Sequence, residues 1–260
     1  MASQPGHREA YYPHAVSRPL LSARNLVRRF GGVVAVDRVS FDLEAGVVLG
    51  IIGPNGSGKT TLLNLLNGVY PPDAGEVWLA GRRVEGGPPQ RLADLGVMRT
   101  FQTTRVFRSL TVLQNMLVPL LHRPTRMHEA RNRAIELLAS VGLAEYAHVP
   151  ASQLSGGQQR LLEFVRALMT EPRVVLMDEP FAGVHPDAIE VLTRRVEALR
   201  KEGASFVVVS HEIPVLMSLS QRVLCLNQGR VIADGTPEEV ARNEAVVEAY
   251  LGDGRVREVS

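Results

Sequence analysis

Three short runs of continuously apolar residues constrain the fold of this chain most strongly. They span residues 47–52, 174–177 and 206–209, and each is bounded by polar residues or glycine. A strand buried on both faces of a parallel sheet has this composition, because neither face meets water. Helix-like stretches lie between the runs, for example 130–141 and 189–201. Strands that alternate with helices predict an α/β fold with crossover connections.

Composition narrows the class of protein further. Of 260 residues, 45% are hydrophobic and 22% charged, which excludes wholesale disorder. The net charge of +2 gives no reason to expect bulk electrostatic binding to nucleic acid. The single cysteine, Cys225, excludes an intrachain disulfide. No apolar run approaches bilayer length, and residues 1–19 lack the apolar core of a secretion signal, so we expect a cytoplasmic protein.

Residues 1–19 mix Pro, His, Tyr and Ser without a period. We interpret them as a flexible arm; the alternative is that their tyrosines dock on another surface. From Leu21 the pattern becomes strand-like, since valines cluster at 33–36 and apolar residues alternate with polar ones over 39–43.

The first apolar run leads directly into a glycine-rich loop. Residues 53–60 read GPNGSGKT and fit the pattern G-x-x-x-x-G-K-[ST], and a helix-like stretch follows at 61–66. Glycines let successive backbone N–H groups point at phosphate oxygens, and the helix N-terminus adds partial positive charge. Lys59 suits the β- and γ-phosphates, and the Thr60 hydroxyl suits Mg²⁺. The predicted nucleotide contacts are Gly53, Pro54, Asn55, Gly56, Ser57, Gly58, Lys59, Thr60 and Thr61.

Two adjacent carboxylates, Asp178 and Glu179, end the second apolar run. Burying both without a partner would be costly, and a metal ion is one such partner. Side chains alternate along a strand, so the two neighbours need not share a role. We expect Asp178 to hold Mg²⁺, and Glu179 to orient and deprotonate the attacking water.

A further motif, LSGGQ at residues 154–158, places Ser155 as an N-cap before a helical stretch at 158–169. Its two glycines expose backbone N–H groups at the helix start, which makes a second anion site. Gln102 lies within RTFQ, and His211 follows the third apolar run. With these five motifs in the family's order, the chain resembles ABC transporter ATPases over roughly residues 20–252.

The resemblance implies the ABC ATPase fold. That fold has a P-loop NTPase core with a mainly parallel sheet, an N-terminal antiparallel β region and a helical subdomain near 103–165, within a domain over 20–254. It implies ATP and Mg²⁺ as cofactors, and a peripheral position on the cytoplasmic face of the inner membrane. The implied partners are a second ABC ATPase subunit, transmembrane permease subunits and, for an importer, a solute-binding protein, with no nucleic acid.

The resemblance also implies roles for particular residues. Gln102 would sense the γ-phosphate and Mg²⁺, and His211 would hydrogen-bond the γ-phosphate. The signature would close over ATP held by another subunit; its residues are Ser155, Gly156, Gly157 and Gln158. His185 stands in the loop after the acidic pair, where Asp or Asn is more usual.

An aromatic side chain occupies the position where the family stacks adenine. Phe30 precedes Lys59 by 29 residues, and Val36 would add an apolar contact. Base stacking contributes roughly 1–3 kcal/mol in nucleic-acid complexes. Core packing is the alternative role for Phe30.

Two branches of the family share features with the chain. RTFQ and the ending VEAYLG at 247–252 look like the ATPases of branched-chain amino-acid importers. FAGV at 181–184, with the same ending, also looks like the lipopolysaccharide-export ATPase. RTFQ favours the importer. A soluble regulatory or DNA-associated ATPase and a non-catalytic scaffold are further alternatives; the intact set of Lys59, Asp178, Glu179 and His211 argues against the scaffold.

Overall fold

The computed structural model describes residues 19–100, 105–122 and 124–251. Residues 1–18 of the predicted arm and Gln102 lie outside these ranges. The flexible arm and the role of Gln102 therefore stay predictions. The strands are β1 (Leu21–Phe30), β2 (Val33–Leu43), β3 (Val48–Ile52), β4 (Ala74–Leu79), β5 (Arg82–Arg83), β6 (Val97–Thr100), β7 (Val174–Asp178), β8 (Ser205–Val209), β9 (Arg222–Asn227) and β10 (Arg230–Gly235). The α-helices are α1 (Lys59–Leu66), α2 (Pro89–Asp94), α3 (Val112–Leu117), α4 (Met127–Ala139), α5 (Gly156–Ala167), α6 (Pro186–Lys201), α7 (Ile213–Leu219), α8 (Pro237–Ala241) and α9 (Glu244–Leu251).

The central sheet of the described chain has the strand order β10-β9-β3-β8-β7-β6. The neighbours from β9 to β6 run parallel, and β10 joins β9 antiparallel. Every residue of β3, β7 and β8 is buried, which confirms the three strands predicted from the apolar runs. Because the strands are parallel, the residues that follow them gather at one edge of the sheet.

Two apolar clusters cover opposite faces of this sheet. In β3, Val48 and Ile52 belong to one cluster, and Leu49 and Ile51 to the other. This alternation follows from strand geometry, since successive side chains point to opposite faces. The first cluster also contains residues of helices α3 to α7, and the second contains residues of α1, β1, β2 and β4. Packing on both faces fixes the end of β3, where the glycine-rich loop begins.

A second sheet forms from the N-terminal part of the chain. Its order is β2-β1-β4-β5, and β1 pairs antiparallel with both β2 and β4. The predicted N-terminal antiparallel region is therefore confirmed. Strand β2 also passes close to the glycine-rich loop, because a Cβ built on Gly58 would lie 2.2 Å from the Ala35 carbonyl oxygen.

Several helices begin earlier than the sequence pattern indicated. Helix α5 starts at Gly156, so both signature glycines lie in its first turn, whereas the prediction began at residue 158. Helix α6 starts at Pro186 with His185 as its N-cap, three residues before the predicted start. In both cases the apolar pattern begins only after the cap, because the first helical turn points its residues toward solvent.

The helices α3, α4 and α5 fall within or just beyond the predicted subdomain range of 103–165. Their buried residues pack with the face of the sheet that also carries α6 and α7. That these helices form a separate subdomain stays a prediction. In the described ranges, no helix combines the length and the apolar character needed to cross a membrane.

Candidate nucleotide-binding site

The glycine-rich loop joins β3 to α1, as its sequence predicts. Gly53 has φ of 147° and Gly58 has φ of 102°, values that side chains rarely allow. A Cβ on Gly53 would lie 2.1 Å from the Leu226 carbonyl oxygen. Gly58 is the N-cap of α1, so the loop ends at a helix N-terminus. The backbone therefore has the shape and the dipole that favour an anion.

Lys59 is held inside the loop. Its side chain is 6% exposed, and Nζ donates hydrogen bonds to the carbonyl oxygens of Gly53 at 2.7 Å and Pro54 at 2.9 Å. Burial lowers the pKa of Lys59, and the nearby carboxyl of Glu179 opposes that shift. A phosphate group entering the loop would give this ammonium a charged acceptor in place of two neutral carbonyls.

A cavity of about 250 Å³ opens above the loop. Loop residues 55–61 line one side, and Ala35, Glu179 and His211 complete the wall. The structure thus brings predicted residues from three separate segments to one space. Ala35 was missed by the sequence reasoning, because nothing in a valine-rich strand marks one alanine as a contact residue.

Val36 does not line the cavity, and its nucleotide contact stays a prediction. Val36 has no exposed surface and belongs to the apolar cluster that includes β1 and β2. Its neighbour Ala35 lines the cavity instead. The reason is strand alternation: Ala35 and Val36 point to opposite faces of β2, and only one face meets the loop.

Phe30 is not a core residue, because 41% of it is exposed. Its ring meets Tyr70 edge-on with centroids 5.3 Å apart. The Arg28 guanidinium lies 4.9 Å from the Phe30 centroid and 5.4 Å from that of Tyr70. Phe30 is absent from the wall of the loop cavity, so its contact with adenine stays a prediction.

Asp178 ends β7 and is 2% exposed. Its Oδ2 accepts a hydrogen bond of 2.7 Å from Arg99, whose other guanidinium nitrogen bonds Asn64 on α1. The Oδ1 atom is buried and has no hydrogen-bond partner. An unpartnered buried carboxylate oxygen fits a hard cation such as Mg²⁺, and the Thr60 hydroxyl near the cavity fits the same ion. Among the described residues, this site included, no group of three or more His, Cys, Asp or Glu is placed to hold a metal.

Glu179 lies beside Asp178 but points into the cavity. It has φ of 49°, an uncommon backbone state for a residue other than glycine. Its Oε2 accepts a hydrogen bond of 3.0 Å from the His211 amide, and Oε1 lies 3.2 Å from His211 Nε2. Burial raises the pKa of Glu179, against the hydrogen bond from His211 and the charge of Lys59. Glu179 lines the cavity and Asp178 does not, which supports separate roles for the two.

The signature residues sit at the start of α5, outside the cavity wall. Ser155 Oγ accepts from the Gln158 amide at 3.2 Å, and Gln158 Oε1 accepts from the Ser155 amide at 2.9 Å. This capping box confirms Ser155 as the N-cap. Ser155 and Gly156 are exposed, and a Cβ on Gly156 would meet no atom within 4 Å. Ser155 and Gly156 thus face open space, where a second molecule can reach them, whereas a Cβ on Gly157 would lie 3.2 Å from the Ala188 Cβ.

Arg160 links the signature helix to Glu179. The residue is 4% exposed, and one guanidinium nitrogen donates to the Glu179 carbonyl oxygen at 2.7 Å. Another pairs with Glu163 at 3.0 Å. Sequence reasoning missed this arginine. The available signal was a charged pair at i, i+3 on a helix whose surrounding residues are apolar.

Arg99 was also missed as a functional residue, although RTFQ drew attention to the segment. We expect Arg99→Met to lower the free energy of unfolding by about 2 kcal/mol, because the charge of Asp178 loses a buried donor. Urea denaturation measures this. The matched control is Arg194→Met, which breaks an exposed pair with Glu190 and should cost under about 0.5 kcal/mol. Equal losses in both variants would contradict a buried role for the Arg99–Asp178 pair.

Comparison with known proteins gives matches over nearly the whole chain. Residues 36–182 match the family described as ABC transporter, and residues 230–256 match the one described as branched-chain amino acid ATP-binding cassette transporter. The LivG protein of Salmonella typhimurium, a high-affinity branched-chain amino acid transport ATP-binding protein, is 40% identical over 92% of this chain and 100% of its own length.

Solved structures agree with these matches. The ADP conformation of MJ1267, an ATP-binding cassette of an ABC transporter, has a TM-score of 0.83 and 32% identity, covering 91% of this chain and all of that one. The dimeric post-hydrolysis state of the cassette MJ0796, bound to ADP and Pi, has a TM-score of 0.72 and 27% identity. It covers 84% of this chain and 98% of that one.

Proposed function

The chain belongs to the ABC transporter family as an ATP-binding subunit, and from that premise we propose that it binds ATP with Mg²⁺ and drives branched-chain amino-acid transport. The observation that carries the proposal is the shared cavity of Lys59, Glu179 and His211. The LivG protein of Salmonella typhimurium matches this chain over its whole length. Residues 230–256 of this chain also match the branched-chain amino acid transporter family. That segment favours the branched-chain type over the lipopolysaccharide-export type.

ATP binding begins at the phosphate loop. The amides of residues 55–60 and the N-terminus of α1 face the β- and γ-phosphates, and Lys59 leaves its two loop carbonyls to contact them. Thr60 and the free Oδ1 of Asp178, with Gln102 as a further ligand, would hold Mg²⁺, and the ion would supply positive charge against the phosphates. Arg99 occupies the other oxygen of Asp178, which leaves Oδ1 available for the ion.

Hydrolysis requires an attacking water beside the γ-phosphate. Glu179 accepts a proton from this water, whose oxygen forms a bond to the γ-phosphorus while the bond to the bridging oxygen of ADP breaks. The products are ADP and inorganic phosphate. His211 holds the Glu179 carboxyl through two contacts and is placed to hydrogen-bond the γ-phosphate. The raised pKa of Glu179 suits a base that must take up a proton.

A second subunit completes the site. The exposed signature of one chain closes over the γ-phosphate held by the other, with Ser155, Gly156, Gly157 and Gln158 supplying hydroxyl, amide and dipole. The dimeric cassette with bound ADP and Pi supports this arrangement. The partners are thus a second ATPase subunit and permeases in the inner membrane, with this chain on the cytoplasmic face and a solute-binding protein on the other side.

The test is uptake by the reconstituted transporter. The chain is co-purified with its permeases into proteoliposomes, and entry of labelled leucine is followed with ATP inside and the solute-binding protein outside. We expect uptake of leucine and not of glutamate, lost when EDTA removes Mg²⁺ and restored by added Mg²⁺. ATP turnover without leucine uptake would refute the substrate class, and turnover that survives EDTA would refute the metal.

A further inference from the structure

The C-terminal helix touches the phosphate loop through one side chain. The Tyr250 hydroxyl on α9 accepts a hydrogen bond of 2.7 Å from the backbone amide of Gly53, 197 residues earlier in the chain. Burial raises the pKa of Tyr250, so the hydroxyl stays neutral at physiological pH and this contact does not depend on its charge. Gly53 is the first residue of the loop, where β3 ends.

The amide, the carbonyl and the Cα of Gly53 are each constrained by a neighbouring group. Its amide is bound by Tyr250, its carbonyl accepts from Lys59, and the space beside its Cα is closed by the Leu226 carbonyl. When Lys59 turns toward a phosphate, the carbonyl of Gly53 loses its donor. The bond from the amide to Tyr250 is then the side-chain contact that still holds this residue in place.

Few of the α9 side chains whose burial is described, residues 244–250, are buried. Val246 is 5% exposed, Ala249 and Tyr250 are half-buried, and Val247 on the outer face is 41% exposed. With so little apolar area buried, docking of the helix depends on Val246 and on the contact that Tyr250 makes. An element of this kind opens at low free-energy cost compared with the central sheet.

We propose that α9 positions the phosphate loop through Tyr250, so that docking of the C-terminal helix and nucleotide binding support each other. Tyr250 is a positioning residue, since it acts on the nucleotide through Gly53. Coupling between two sites is reciprocal, so a nucleotide that orders the loop also favours the docked helix. The proposal rests on the proposed role of the loop as a nucleotide site.

The test compares Tyr250→Phe with Tyr146→Phe in the full-length chain. Both tyrosines are half-buried against the same apolar cluster, and only Tyr250 bonds the loop. Titration with a fluorescent ADP analogue should give about a fivefold weaker affinity for Tyr250→Phe, the effect of one hydrogen bond of ordinary strength. Tyr146→Phe should bind like the wild type. Hydrogen exchange of the Gly53 amide, followed by NMR with labelled glycine, should become faster only in Tyr250→Phe.

Two outcomes would overturn the proposal. One is an unchanged affinity in Tyr250→Phe, and the other is an equal loss in both variants, which would indicate a general effect of removing a hydroxyl. Val246→Ala provides a second route, since it loosens α9 while leaving the Tyr250 hydroxyl intact, and it should also weaken ADP binding. The wild-type titration tests the nucleotide site separately: failure there would refute the proposed function, whatever the variants do.

Discussion

Glu179→Gln should bind ATP and almost stop hydrolysing it. General base catalysis contributes roughly 100- to 10,000-fold, so we expect turnover to fall by about 1000-fold. Glutamine has the shape of glutamate and its amide oxygen can still accept from the His211 amide, but it cannot take a proton from water. Because ATP stays intact between two subunits, the variant should accumulate as an ATP-dependent dimer, measured by phosphate release and size-exclusion chromatography.

The matched control for this variant is Glu212→Gln. Glu212 follows His211 directly and is exposed, so the same change of charge occurs next to the site without touching the cavity wall. We expect wild-type turnover there. Undiminished phosphate release from Glu179→Gln would defeat the assignment of Glu179 as the base.

Lys59→Ala should lose nucleotide binding. Removing one partner of a buried, charged hydrogen-bond pair costs several kcal/mol, so we expect affinity for ATP to fall by about 100-fold or more. In the free protein Lys59 is held by two loop carbonyls, so the ammonium is already positioned inside the loop before the phosphate arrives. Calorimetric titration with ATP measures the loss.

The chain offers a clean control, because its sequence contains only two lysines, Lys59 and Lys201. Lys201 ends α6, and its side chain is 70% exposed. Lys201→Ala removes the same charge from the surface and should bind ATP as the wild type does. Similar affinities for both variants would show that Lys59 makes no specific contact with phosphate.

Much of the fold could be predicted from local patterns. Residues 48–52, 174–178 and 205–209 became strands because each run is apolar on both faces, and the two apolar clusters on either side of the sheet require that composition. The loop between β3 and α1 could be predicted because its glycine pattern, placed between a strand and a helix, is typical of a phosphate-binding loop. The same holds for the cap at Ser155, whose partner Gln158 lies within the motif itself.

The remaining site residues depend on packing between distant segments. Ala35 rather than Val36 lines the cavity, and the sequence pattern of β2 does not say which of its faces meets the loop. Arg99 and Arg160 gain their roles from contacts with Asp178 and with the Glu179 carbonyl, 79 and 19 residues away along the chain. The spacing of residues along the sequence does not indicate such contacts. They can be identified only from the folded structure, in which the segments around the sheet edge come together.

The Arg160 contact has a consequence for the assembled transporter. In the proposed dimer, the signature of each chain contacts one ATP and its Glu179 acts on the other. Within each chain, the Arg160 guanidinium connects the signature helix α5 to the backbone of Glu179. Movement of α5 on meeting the first nucleotide would therefore shift the carbonyl that anchors the catalytic residue at the second. Hydrolysis of the two ATP molecules would then be coupled. A dimer with one inactive site would lose more than half of its ATP hydrolysis rate.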